Sequence, residues 1–360
     1  MQNPYTAKPE YQFWRRSFSG KAPTEVDPVV QTRFVIGPQD RIATAGSCFA
    51  QHVSRTLNEL GFNYMVTEQS PAFSFSGSEN FGTFSARYGN IYTVRQLRQL
   101  FRRAYGLFCP RDVAWRRADG RYVDPFRPYI VEEGFATAEE VVADREAHFE
   151  AVRTVFEDCD VFIFTLGLTE GWEAVNDGAV FPLAPGVVGA EGNETNYRFC
   201  NFGLSEMVED LADFLTALRS VNPACRVLLT VSPVPLIATY ENAHVLTATT
   251  YSKSALRVLS EEIKRKFTFA DYFPSYEMIT GPHVRGAFWG DDLREVKPEG
   301  VLYAMSKFAA HYLGDASIQL AAGTEMPSRD AIARQRAAIT EIASVICDEE
   351  KIDSVLSSQA

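Results

Sequence analysis

The 360-residue sequence has no CxxC pair, no GxGxxG or GxxxxGK[ST] glycine loop, no apolar run near the length of a membrane span, and no basic excess. Each absence excludes a class of function. Six cysteines at 48, 109, 159, 200, 225 and 347 lack zinc-ligand spacing and read as reduced thiols, so no metal is expected. Without a phosphate-cradling glycine loop, nicotinamide, flavin and P-loop nucleotide binding find no support. A formal charge of -11 argues against nucleic acid as a partner. The amino-terminal stretch MQNPYTAKPEYQFWRRSF lacks the apolar core of a signal sequence, and no span of about 18 apolar residues occurs. A cytoplasmic protein without a membrane span is therefore expected. No repeat with a period of roughly 20 to 50 residues is visible, which excludes a solenoid.

What is present is an ordinary globular composition, 46% hydrophobic and 22% charged, in a chain long enough for one large α/β domain. Apolar runs alternate with amphipathic stretches, the pattern of a parallel sheet covered by helices. DRIATAG (40–46), FNYMVTE (62–68), CDVFIFTLG (159–167), CRVLLTVSP (225–233) and TFADYFPSYE (268–277) give five principal strands. EAVNDGAVFPLAPG (173–186) reads as a hairpin about Asn176-Asp177-Gly178. Residues 107–137, rich in Pro, Arg and Gly, form an insertion, and the basic, aromatic stretch 101–121 is expected to be exposed with solvated arginines. The core domain spans 1–320, and 321–360 is a helical extension.

In an open parallel sheet, ligands bind beyond the carboxyl ends of the strands, which selects the loops at 46–48, 167–172, 232–251 and 275–295. Ser47 and Cys48 lie side by side where the first strand turns into a helix, a place where backbone N–H groups converge and a thiol is activated. Gly167, Thr169 and Glu170 follow the clearest strand and could supply oxyanion donors and an orienting carboxylate. Five histidines, at 52, 148, 244, 283 and 311, include two in selected loops, His244 and His283, as candidate bases. Tyr251 and Ser252-Lys253-Ser254 stand at the expected start of the next helix, with the serines as caps and Lys253 exposed.

TAGSCFAQHV, YGNIYTVRQL, FTLGLTEGW, LLTVSPVPL, YSKSALR and FPSYE, in that order, resemble the bacterial GSCFA family over roughly residues 5–315. That family is in turn similar to SGNH/GDSL hydrolases, which implies a flavodoxin-like, three-layer α/β/α sandwich with a parallel sheet. It also implies acyl-transfer chemistry on an acylated carbohydrate or related small molecule, as an esterase or O-acyltransferase in polysaccharide modification. Placing Gly-Asp-Ser on Gly46-Ser47-Cys48 puts Cys48 in the nucleophile position. The Gly-x-Asn-Asp block falls on Gly167-Leu168-Thr169-Glu170 and replaces Asn by Thr. Asp-x-x-His falls on Asp292-Leu293-Arg294-Glu295 and loses its His. The resemblance puts Cys48, with Ser47 as the alternative, in the attacking role and keeps Asp292 as a candidate catalytic residue; with the block's own His missing, a histidine from another loop is the expected base, His244 ahead of His283. Gly46, Gly167, Thr169, Glu170, Asn90, Tyr251 and Lys253 line the oxyanion and substrate positions. No cofactor is required, and whether acyl-coenzyme A is the donor is left open. The missing His favours the alternative, a non-catalytic carbohydrate- or protein-binding module on the same fold. A redox thiol protein ranks last, for want of a resolving cysteine.

Overall fold

The computed structural model describes residues 3–69, 81–190, 192 and 194–314. The extension expected over 321–360 lies outside them. A short helix, α1 (Trp14–Phe18), precedes β1 (Ile42–Gly46), α2 (Ala50–Glu59), α3 (Val94–Ala104), the two-residue strands β2 (Trp115–Arg116) and β3 (Tyr122–Val123), and α4 (Ala138–Asp158). Then follow β4 (Val161–Leu166), β5 (Glu170–Ala174), β6 (Val180–Phe181), β7 (Tyr197–Asn201), α5 (Leu204–Val221), β8 (Arg226–Val231), α6 (Val245–Lys266), β9 (Ala270–Phe273), α7 (Ser275–Thr280) and α8 (Pro298–Tyr312).

The central sheet is parallel in the order β1-β4-β8-β9. Parallel strands covered on both faces must be apolar throughout, and all six residues of β4, VFIFTL, are buried. Alternation divides them between two cores. Ala43, Ala45, Phe162, Phe164, Leu166, Val227 and Leu229 pack with residues of α3, α4, α5 and α6. Ile42, Ile163, Leu228 and Phe273 pack with residues of α2, α7 and α8. The architecture is thus the three-layer α/β/α sandwich expected.

The strand expected over 62–68 is reduced to a single parallel bridge between Ile42 and Tyr64. Two bonds hold it, Ile42 N–H to Asn63 O and Met65 N–H to Ile42 O. Beyond Met65 the chain is drawn off the sheet edge: Thr67 donates its N–H to Ser85 O and its hydroxyl to Ser85 O and Ala151 O. The bridge still lies on the far side of β1 from β4, where a flavodoxin-like order places its second strand. The expected hairpin is present as β5 and β6, joined through Asn176-Asp177-Gly178 and extended by β7 into a second, antiparallel sheet.

Residues 107–137 are more than an exposed insertion. Trp115, Val123 and Phe126 are buried with Phe181 and Ala179 of the hairpin, although Arg111, Arg116 and Arg121 face solvent. An ion cluster fixes this segment to α4. The fully buried Asp124 carboxylate meets Arg127 at 3.0 Å and Arg145 at 2.8 Å, and Arg127 and Arg87 both reach Asp144, at 2.6 and 3.1 Å. Burial works against the Asp124 charge, but the Arg145 and Arg127 guanidiniums outweigh it and hold the carboxyl below its ordinary range. Removing one partner leaves buried charges uncompensated. Asp124→Ala is expected to cost about 3–5 kcal/mol in urea unfolding, and a loss under about 1 kcal/mol would show the cluster to be idle.

Next to it, His148 on α4 is buried with Nδ1 2.7 Å from Glu68 Oε2. Burial, reinforced by the Arg127 charge, lowers its pKa to about 4 against the Glu68 contact. The unfolded imidazole titrates near 6.5. Between those values the unfolded chain binds a proton that the native chain does not, so stability falls as pH drops, by on the order of 3 kcal/mol. Chemical denaturation at pH 7 and pH 4 is expected to show this loss diminished in His148→Gln; an identical loss in that variant would assign the acid sensitivity elsewhere.

Candidate active site

The turn after β1 is built on glycine. Gly46 has φ +134°, and a Cβ there would lie 2.3 Å from Thr165 O and 2.7 Å from Thr165 N, so β1 meets β4 at a separation only glycine permits. Ser47 then donates its N–H to Thr165 O at 3.1 Å. Ala50 and Gln51 donate to Ser47 O and Cys48 O, at 2.8 and 3.1 Å. Helix α2 therefore begins directly from the Ser-Cys pair, and the positive end of its dipole lies at Cys48. Ser47 and Cys48 are 3% and 5% exposed, and Ser47 Oγ has no hydrogen-bond partner.

Two loops close around this turn. Ile91 N–H binds Gly46 O at 2.9 Å, which places the buried Asn90 next to the end of the strand. Tyr92 O accepts from both Gly167 N (3.1 Å) and Leu168 N (2.9 Å). A Cβ on Gly167 would stand 3.0 Å from Ser47 Cβ and 3.1 Å from Tyr92 O, so the bare glycine is what lets the loop after β4 approach the serine. Thr169 donates its N–H to Ser252 Oγ at 3.1 Å and its hydroxyl to Asn201 Oδ1 at 2.7 Å. The N–H groups of Gly167, Leu168 and Thr169, expected as oxyanion donors, are all engaged within the protein.

Lys253, expected on the surface, is 1% exposed, and its Nζ donates to Gly167 O at 2.6 Å. Helix α6 starts at Val245 and not at the YSKS segment. The sequence carried a signal for this: Ala248, Ser252, Leu256, Leu259 and Ile263 repeat at three- and four-residue steps and are all buried. The small polar residue in that stripe is a hydrogen-bonding position, not a cap.

The candidate bases lie apart from this cluster. His244 is exposed and caps α6, its Nδ1 accepting from Leu246 N at 3.2 Å. It stands nine residues before Lys253, about 13 Å along the helix axis. His283 stacks on Phe18 at 5.7 Å and meets Tyr303 edge-on, and burial lowers its pKa. Asp292 Oδ1 is taken up by the backbone N–H groups of Arg294 and Glu295 in a local turn. Glu170, at the head of β5, accepts from Thr239 Oγ1 at 2.7 Å and Tyr240 N at 3.4 Å, and burial raises its pKa. Tyr251 is half exposed on α6. The structure thus gathers Gly46, Ser47, Cys48, Asn90, Gly167, Thr169 and Lys253 in one place. Tyr92 and Ser252, which the sequence analysis did not assign to the site, supply its internal ties.

No group of three or more His, Cys, Asp and Glu side chains suited to a metal ion occurs among the described residues. None of their helices is long and apolar enough to cross a membrane.

A family model described as the GSCFA family matches residues 41–308. A search of curated proteins finds no match. Among solved structures, a carbohydrate esterase family 3 protein from Talaromyces cellulolyticus aligns at 10% identity over 79% of this chain and 97% of that one, with a TM-score of 0.31. A likeness so distant carries no argument about chemistry.

Proposed function

Because the chain belongs to the GSCFA family and sets a Ser-Cys pair at the head of a helix beyond its first strand, we propose that it is an acyl-transfer enzyme with Cys48 as nucleophile. Its substrate on this reading is an acylated carbohydrate or a related small ester. The observation that carries the reading is the turn itself: a strand end that only glycine can form, followed at once by a nearly buried thiol at a helix N-terminus.

In the proposed reaction the Cys48 thiolate attacks the ester carbonyl carbon. The carbon–oxygen bond to the alcohol breaks, and the leaving alkoxide takes a proton from water. Hydroxide, or an acceptor hydroxyl stripped of its proton, then opens the thioester and returns the thiolate. The helix dipole of α2 and the Asn90 side chain are the proposed aids to the oxyanion, in place of the engaged N–H groups after β4. His244, at the solvent side of the strand ends, is retained as a proton carrier only for a substrate that reaches it. The chemistry is tested with acetylated sugars and a chromogenic acetyl ester, comparing the unaltered chain with Cys48→Ala.

The second reading is a glycan- or protein-binding module. It is favoured by one observation, that four of the histidines engage other groups: His244 with its own helix, His283 with Phe18, His148 with Glu68 and His311 with Asp27. Sugar binding without turnover of any acyl ester, by a chain whose Cys48 is no more reactive than its other thiols, would establish it.

A further inference from the structure

Between α3, α4 and the 107–137 segment lies a small cavity whose wall includes Gln96, Arg103, Phe126, Arg127 and His148. It has room for about one or two water-sized groups. Two nitrogens of these lining residues, Arg103 Nε and His148 Nε2, are buried without a hydrogen-bond partner, and His148 is only 1% exposed. Buried polar atoms are nearly always paired, because an unpaired one carries its full desolvation cost.

Charge points to the occupant. Among the described residues, Arg127 and Arg145 reach Asp124, Arg87 and Arg127 reach Asp144, and Glu68 meets His148. Arg103 is the fourth guanidinium of this cluster, against the three carboxylates of Glu68, Asp124 and Asp144. It lies over the Phe126 ring at 3.7 Å and pairs with none of them. Burial lowers its pKa to about 9, with Asp124 opposing and Arg145 and Arg127 adding to the effect, so it keeps its charge near pH 7. Gln96 adds a donor to the same wall: its side-chain oxygen already serves Tyr92 N at 3.0 Å and Thr93 N at 2.9 Å, which leaves the amide nitrogen for an occupant. We propose that this cavity binds a small monovalent anion, of the size of a halide or formate, on Arg103 and Gln96, and that the anion enters together with a proton taken up from water at His148 Nε2.

The proton is required by the orientation of the imidazole. Nδ1 lies 2.7 Å from Glu68 Oε2, a contact that an N–H makes, so the neutral ring carries a lone pair at Nε2. A lone pair repels an anion, whereas a protonated Nε2–H attracts one. The groups around this ring are divided: Glu68 and Asp124 favour its charged form, while burial and Arg127 oppose it and hold the pKa at about 4. Asp144 and Arg145 stand on its own helix and are paired, and the nearby Tyr88 and Phe149 rings are uncharged. An anion on Arg103 offsets the positive charge across the cavity and moves the balance toward the imidazolium. Ile91 also lines the cavity, and its N–H holds Gly46 O, so an occupant braces the loop that closes over the Ser47-Cys48 turn.

The inference stands apart from the acyl-transfer reading, and its test needs no substrate. Urea unfolding of the full chain is followed at constant ionic strength while sodium gluconate, whose anion is too large to enter, is replaced by sodium chloride or sodium formate. An anion held only by the native chain raises the midpoint, and coupling to a proton makes the rise larger at about pH 5.5 than at about pH 7.5. The His148 pKa, followed by NMR in the folded chain, should move up by about one unit or more in chloride or formate. Both responses should vanish in Arg103→Gln. A response to one of the two anions alone supports the site and assigns it to halide or to carboxylate. Equal midpoints in all three salts overturn the proposal, as does a response of unchanged size in Arg103→Gln. Should that variant fail to fold, the unaltered chain decides: a His148 pKa that rises with the small anions supports the site, and one indifferent to them overturns it.

Discussion

Cys48→Ala is expected to lower kcat/KM for acetyl ester cleavage by at least about a thousandfold while leaving the fold intact. Loss of a covalent nucleophile removes the step on which the rest of the machinery acts, and other parts of a site then contribute little. Folding should survive because the change from a thiol to a methyl is small, although Cys48 is almost fully buried. Ser47→Ala is the companion variant. Its hydroxyl has no hydrogen-bond partner to lose, so stability should change by less than about 1 kcal/mol, and activity should fall by no more than about tenfold. The opposite ranking in steady-state assays would move the nucleophile to Ser47.

Gly46→Ala is expected to cost more than about 4 kcal/mol in urea unfolding, at the upper end of what single substitutions do. Two penalties combine. The backbone angle of +134° is one that side chains rarely accept, and the new Cβ would fall 2.3 Å from Thr165 O, in the middle of the β1–β4 pairing. That oxygen belongs to a central strand and cannot retreat without breaking the ladder. Gly61→Ala separates the two effects. It also has a positive φ, +69°, but open space around it, so it should cost only about 1–2 kcal/mol. Equal losses in the two variants would mean that the close approach at Gly46 contributes nothing.

The parts of this molecule that were legible in the sequence are those set by local pattern. VFIFTL is apolar at nearly every position because both faces of β4 are covered, and Asn-Asp-Gly marks its hairpin without help from the rest of the chain. The Gly46-Ser47-Cys48 turn was likewise visible, since the change from apolar run to helical pattern falls on it. What escaped depends on distant partners. The segment 62–68 has strand-like residues, yet Thr67 is captured by Ser85 and Ala151, which sequence order does not reveal. Lys253 was misjudged because a polar run resembled a helix start, when His244 had already capped that helix two turns earlier. Trp115 and Phe126 looked like part of a solvated insertion because the hairpin that covers them comes more than fifty residues later. The base assignment depends on which loop folds over which strand end. There the resemblance offered a pattern that this chain lacks at Glu295.

The central claim, a covalent acyl group carried by Cys48, is tested most directly by trapping it. The full chain is mixed with an activated acetyl ester, quenched in acid within the first turnover, digested and analysed by mass spectrometry. The account predicts an acetyl group on the peptide containing Ser47 and Cys48, released by hydroxylamine at neutral pH as a thioester is, and absent from Cys48→Ala. An acetyl group resistant to that treatment and retained in Cys48→Ala, or turnover of the ester with no label on this peptide, would contradict it.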